Sequence, residues 1–241
     1  MIGDAGKDRF ELTTSGFGDQ RSTVRAICLL LRIFLSMVYI ESFCLFSCFF
    51  FCSFLGVVVY GLEDFQQGLI YGLLYIHVPT AWWSLVGYSI LSSFSLLFLV
   101  TRNSWYIRYA SIIGLLCFIS IFITLLTGSL WGKCSWGTYW QWDARMTAMF
   151  VLFLQVFAYF FIKDFIYKSL FAVLGWINIP IVKWSVDWWR TLHQKSSITL
   201  RASSVDEHML FALFLATLFF LFYFIYLFIL MYRQSLRLSE K

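Results

Sequence analysis

Long uncharged apolar blocks alternate with short polar stretches along this chain, and the blocks set the expected architecture. Within a block the apolar residues run on continuously rather than returning every third or fourth position. That pattern suits lipid better than a water-facing amphipathic helix. A helix crossing the hydrocarbon core needs about 20 apolar residues, each rising about 1.5 Å. On this measure residues 42–60 form a first span after Glu41, 80–100 a second and 109–130 a third. Residues 146–162, closed by Lys163 and Asp164, form a fourth, and 209–232 a sixth. Between them, 169–182 offers a fifth span of only 14 uncharged residues, with Lys168 and Lys183 at its ends and Pro180 near the second. It would rise about 21 Å against a core about 30 Å thick, a gap that snorkelling of both lysines can close. Ile27–Ile40, with Arg32 inside it, reads as an interfacial helix or an extension of the first span.

The expected fold is therefore all-α, a six-span transmembrane helix bundle. A polar N-terminal tail covers 1–32, the membrane domain 33–232 and a short C-terminal tail 233–241. Six crossings put both termini on one side. That side, with loops 101–108 and 163–168, collects twelve Lys and Arg, against six in loops 61–79, 131–145 and 183–207. The excess marks it as the inner side. No internal repeat or low-complexity linker divides the chain.

Composition agrees with the blocks. The 241 residues are 61% hydrophobic and 13% charged, with a mean hydropathy of +0.78, where soluble domains carry roughly 25% charged residues. The net charge of +5 is spread over the polar stretches and forms no basic stripe, so nucleic acid is not an expected partner. Five of six cysteines (Cys28, Cys44, Cys48, Cys52, Cys117) lie in apolar segments; only Cys134 lies in a polar one. Neither a disulfide framework nor a C-x-x-C-H haem attachment motif is present. The first 26 residues mix acids and bases, unlike a cleaved signal peptide, and are too acidic for a typical mitochondrial presequence. They read as a tail on the side of synthesis, in a mitochondrion or a bacterium. The 28 Phe and two Asn tilt that choice towards mitochondrial coding.

The rare residues gather on the outer side. Nine of eleven tryptophans lie in or beside the three outer loops: Trp82, Trp83, Trp131, Trp136, Trp140, Trp142, Trp184, Trp188 and Trp189. Interfacial belts normally occupy both faces. The segment 131–145 is densest, and Lys133 and Arg145 stand at its two ends. Indole rings cover a porphyrin face by stacking and dispersion, and the two cations suit its carboxylates. An aromatic belt on a reentrant loop fits the same composition equally well. Two histidines tip the balance towards haem. His77 comes shortly before Trp82-Trp83, and His193 follows Trp188-Trp189. Neutral imidazole is a common axial ligand of haem iron. His208, beside Asp206 and Glu207, reads as structural.

Two look-alikes fail. Gly128–Cys134 is one residue short of a phosphate-binding loop and ends in Cys, so nucleotide energy must come from a partner. A b-type electron carrier buries its histidines deep between spans, whereas both candidates here are expected at span ends.

The run Trp136-Gly137-Thr138-Tyr139-Trp140-Gln141-Trp142-Asp143-Ala144-Arg145 closely resembles the signature of the WWD-domain haem-handling family. His77-Val78-Pro79 and Thr191-Leu192-His193-Gln194 resemble the two flanking histidine motifs of its haem exporter protein C (CcmC) branch. The three motifs keep order and spacing over roughly residues 60–232. The resemblance implies six spans with the loop and both histidines on the outer face. It implies His77 and His193 as axial ligands of a transiently held haem b, with Trp131, Trp136, Trp140, Trp142 and Asp143 as the haem and chaperone platform. It also implies delivery to the haem chaperone CcmE, partnership with the ABC-type subunits CcmA and CcmB and the small CcmD, and the mitochondrial or bacterial inner membrane. The cytochrome c biogenesis role so implied is not that of a conventional enzyme. A haem-translocating subunit, and a structural assembly subunit that binds no haem, are the competing readings.

Overall fold

The computed structural model of the chain describes residues 42, 45, 68–189, 193 and 206–239. Apart from Ser42 these belong to one compact unit, Cys44–Lys241. The expected first span, 42–60, lies outside the described residues but for Ser42 and Leu45, as does the tail 1–32. No strand occurs among the described residues. A 3-10 turn, Leu69–Leu73, leads into α1 (Leu74–Thr101), followed by α2 (Ser104–Trp136), α3 (Ala144–Phe161), α4 (Phe165–Gly175), α5 (Asn178–Trp188) and α6 (Glu207–Ser239). Five stretches are long and apolar enough to cross a membrane, α4 and α5 together making one of them, Phe165–Trp188. They correspond to the second through sixth expected spans. α6 continues to Ser239, through most of the stretch expected as a C-terminal tail.

Short polar caps explain why the helices end where they do. Arg102 adopts φ 59° and closes α1, and Asn103 then caps α2 by accepting from the Trp105 amide at 3.0 Å. Asp143 caps α3, accepting from the Met146 amide at 2.7 Å, and Asp164 caps α4. Each satisfies amides that a helix start leaves without intrahelical partners.

α1 packs closely on α2 through small and hydroxyl-bearing residues. Ser120 donates to the Thr80 carbonyl at 2.9 Å, Thr124 donates to the Thr80 hydroxyl at 3.0 Å, and the Cys117 thiol reaches the Ser84 carbonyl at 3.4 Å. In lipid, helices gain little from hydrophobic burial. Close packing and interhelical hydrogen bonds, averaging about 0.6 kcal/mol each, hold them together. Leu91, Ile121, Leu152 and Val156 are fully buried where α1, α2 and α3 meet. α6 is tied on by the Trp83 indole, which donates to the Thr217 carbonyl at 3.1 Å.

The fifth span differs from expectation. It is 24 residues long, with Lys168 and Lys183 inside it rather than at its ends. Lys168 places its ammonium 4.4 Å from the centre of the Tyr159 ring, and Lys183 is exposed. The helix breaks at Trp176–Ile177, and Pro180 falls in the first turn of α5, where its missing N–H costs nothing. At the break the Asn178 amide donates to the Ala148 carbonyl of α3 at 2.9 Å.

Candidate functional site

The start of α1, the end of α2, the start of α3, Val182 of α5 and His193 beyond it come together at one end of the bundle. They enclose a cavity of about 60 Å³ lined by His77, Trp136, Arg145, Met149, Val182 and His193, among others. The helices reach further into this end than expected. His77, expected in a loop over 61–79, sits in the first turn of α1. The expected loop 131–145 is helical up to Trp136, so Trp131, Lys133 and Cys134 are helix residues, and only 137–143 lies outside helices. Lys133 explains the extension. In the last turn of α2 it donates to the Gly137 carbonyl at 3.0 Å, and Gly137 ends the helix with φ 78°, a conformation glycine adopts without a Cβ penalty. Lys133 also lies 5.3 Å from the Tyr139 ring and does not line the cavity; Arg145 does.

His77 is buried and held tightly. Its Nδ1 lies 3.1 Å from the Thr124 carbonyl and 3.1 Å from the Thr127 hydroxyl. The carbonyl can only accept. The Thr127 hydroxyl spends its proton on the Ile123 carbonyl at 2.7 Å, so its oxygen accepts as well. Nδ1 therefore carries the hydrogen, and Nε2 keeps its lone pair. Gly128 backs the ring: a Cβ there would meet His77 Cε1 at 2.8 Å.

His193 stands opposite. The two imidazole centres are 6.2 Å apart with an interplanar angle of 64°. Burial, and next the positive charge of Arg145, push His193 down to about 4, so its ring is neutral at ordinary pH. Trp131 meets His77 edge to face at 5.9 Å, and Trp136 meets His193 likewise at 5.6 Å. Tyr71 packs on Trp131 at 6.4 Å.

The fold separates the remaining platform residues from this group. Trp140 packs on Trp142 at 5.4 Å and on Phe150 at 5.7 Å, and Trp142 is 75% exposed. Asp143 is buried as the cap of α3, with Oδ2 left without a partner. Trp142, Asp143 and Trp189 line a second, open groove against α5. So the structure brings His77, His193, Trp131 and Trp136 together and sets Trp140, Trp142 and Asp143 to the side. Sequence reasoning missed Thr124, Thr127 and Gly128. Their signal was three small or polar residues within five positions, 124–128, of an uncharged span.

The two imidazoles meet at 6.2 Å between centres, inclined by 64°. The cavity itself is much smaller than the roughly 300–1,000 Å³ of an enclosing cofactor pocket.

Comparison with known proteins agrees with the signature. Residues 26–241 match the family model described as Heme exporter protein C. The chain belongs to this family. The match also takes in residues 26–59, ahead of the 60–232 region over which the motifs are legible. CcmC relatives include a cytochrome c biosynthesis ccmC-like mitochondrial protein of Marchantia polymorpha, 40% identical over 71% of this chain and 79% of that protein. A ccmC-like mitochondrial protein of Arabidopsis thaliana is 43% identical over 61% of this chain, which spans 58% of that relative. The Heme exporter protein C of Haemophilus influenzae is 36% identical over 76% of this chain and 80% of that protein. CcmC membership carries a membrane-embedded role in haem handling for cytochrome c biogenesis.

Proposed function

We propose that the chain holds haem b at the outer membrane face, with His77 and His193 as axial ligands, and presents it to the haem chaperone CcmE. The observation that carries this reading is the pair of neutral imidazoles whose centres stand 6.2 Å apart, one at the head of α1 and one beyond α5. Trp131 and Trp136 flank the pair and would close over a porphyrin face, and Arg145 would neutralise a propionate at the same mouth. The small cavity supports holding at a rim rather than enclosure, which suits a cargo that must leave. The exposed Trp142, beside Trp140 and Asp143, suits contact with the chaperone.

In this reading the chain works with the ABC-type subunits CcmA and CcmB and the small CcmD, in the mitochondrial or bacterial inner membrane with its termini on the inner side. Its role is binding and hand-over; no covalent chemistry is assigned to its own side chains.

The test is an absorption spectrum of the purified protein. Wild type shows a six-coordinate, bis-imidazole haem. His77→Ala and His193→Ala each lower retained haem at least about tenfold. Unchanged haem binding and chaperone loading in the double variant would overturn the proposal.

A further inference from the structure

We infer that Thr127 is a positioning residue for the His77 ligand, fixing which ring nitrogen faces the iron. The inference rests on the reading that His77 ligates haem. Two acceptors, the Thr124 carbonyl and the Thr127 hydroxyl, converge on Nδ1 at 3.1 Å each. The two are not equivalent. The carbonyl belongs to the α2 backbone and is present whatever the side chains are. The hydroxyl is a choice of residue, and it accepts only because its own proton goes to the Ile123 carbonyl at 2.7 Å. The arrangement leaves Nε2 with its lone pair, and it makes the imidazole a better electron donor, since hydrogen bonding at the far nitrogen raises ligand basicity.

The same stretch of α2 removes the ring's freedom. Gly128 lies against Cε1, so any larger residue would displace the imidazole. On the α1 side, Thr80 donates to the Ile76 carbonyl at 2.8 Å, one residue before His77, and receives the Thr124 hydroxyl at 3.0 Å, tying the turn that carries His77 to the helix that orients it. Thr124 and Thr127, three positions apart, are thus the α2 counterpart of a histidine on α1. A valine at 127 has nearly the same shape and offers no acceptor, so shape and hydrogen bonding can be separated.

The experiment compares wild type with Thr127→Val and Thr127→Ser in detergent. Nitrogen-15 NMR of labelled histidine in the haem-free protein reads the tautomer, and only three histidines need assignment. The expected result is an Nδ1–H, bare-Nε2 ring for His77 in wild type and Thr127→Ser. With haem bound, Thr127→Val retains about tenfold less haem and has a higher midpoint potential, while Thr127→Ser matches wild type. An Nε2–H ring in the wild type overturns the inference, even if the valine variant fails to fold. So does a valine variant equal to wild type in both haem readouts, or a serine variant as impaired as valine. If His77→Ala leaves haem bound, the haem-ligation reading fails instead, and a tautomer unchanged between wild type and Thr127→Val still shows that Thr127 does not orient the ring.

Discussion

A lone histidine in an apolar membrane protein is ambiguous; two that approach to 6.2 Å, one of them with its Nδ1 hydrogen held by two acceptors, are much less so. For His193 the proton count can be followed with pH. Burial first, and then the Arg145 charge, lower it from its ordinary 6.5 to about 4. The folded protein therefore binds fewer protons at this site than the unfolded chain. Stability from the neutral ring is complete above about pH 6.5 and is lost as pH falls towards 4. Haem affinity is expected to stay level from about pH 8 down to about pH 5, because a proton competes for the ring only below that point. Haem titrations at stepped pH check this, and a decline already under way near pH 6.5 would contradict it. Gly128 supplies a second test. Alanine is the better helix former by about 1 kcal/mol, yet its Cβ would press on His77 Cε1. Gly128→Ala is expected to cut haem retention about tenfold or more and to lower the thermal midpoint of the haem-free protein, because overpacking against a held ring costs about 1–3 kcal/mol, read by absorbance and by melting in detergent. At this scale the sequence singled out the two histidines but not the residues that hold His77, because a threonine in an apolar span looks like any small packing residue until a neighbouring helix brings a histidine to it.

At the scale of helices, the termini matter most. Asp143 was expected as part of the haem platform, and it stands as the cap of α3, with Oδ1 on the Met146 amide. Asp143→Asn keeps an acceptor there, whereas Asp143→Ala removes it at a cost of about 1 kcal/mol. The alanine variant should therefore melt earlier than the asparagine variant. Equal melting of the two would show that capping is not what Asp143 contributes. The broken fifth span offers another check. A Cβ on Gly175 would overlap the Tyr88 hydroxyl of α1. Gly175→Ala should destabilise by about 1–3 kcal/mol through overpacking, and adding Tyr88→Phe should recover much of that loss. The sequence placed this span but misjudged its length, because lysines that lie over aromatic rings or reach outwards do not end a helix.

Across the described residues, the helix ends around the histidines lie together at one end of the bundle, and the turns at Asn103 and Asp164 follow the opposite ends of the helices. Single cysteines placed at Tyr139 and Asp206 should react with an impermeant reagent from one face, and those at Asn103 and Asp164 from the opposite face. Labelling of Tyr139 and Asp206 from different faces would break the proposed grip on iron. What the chain by itself determined follows from composition and order along the sequence: membrane residence, the helical class, five of the spans, the family and its two histidine motifs. Each depends on the local apolar count or on a contiguous run of residues, such as 136–145. What only the tertiary structure decided depends on residues far apart in sequence meeting in space. His77 meets Thr124 and Thr127 across about 50 positions, and His193 across more than 100. The same packing split one aromatic cluster, putting Trp131 and Trp136 against the imidazoles and Trp140 and Trp142 away from them, because the last turns of α2 continue through half of a segment whose composition resembles a loop.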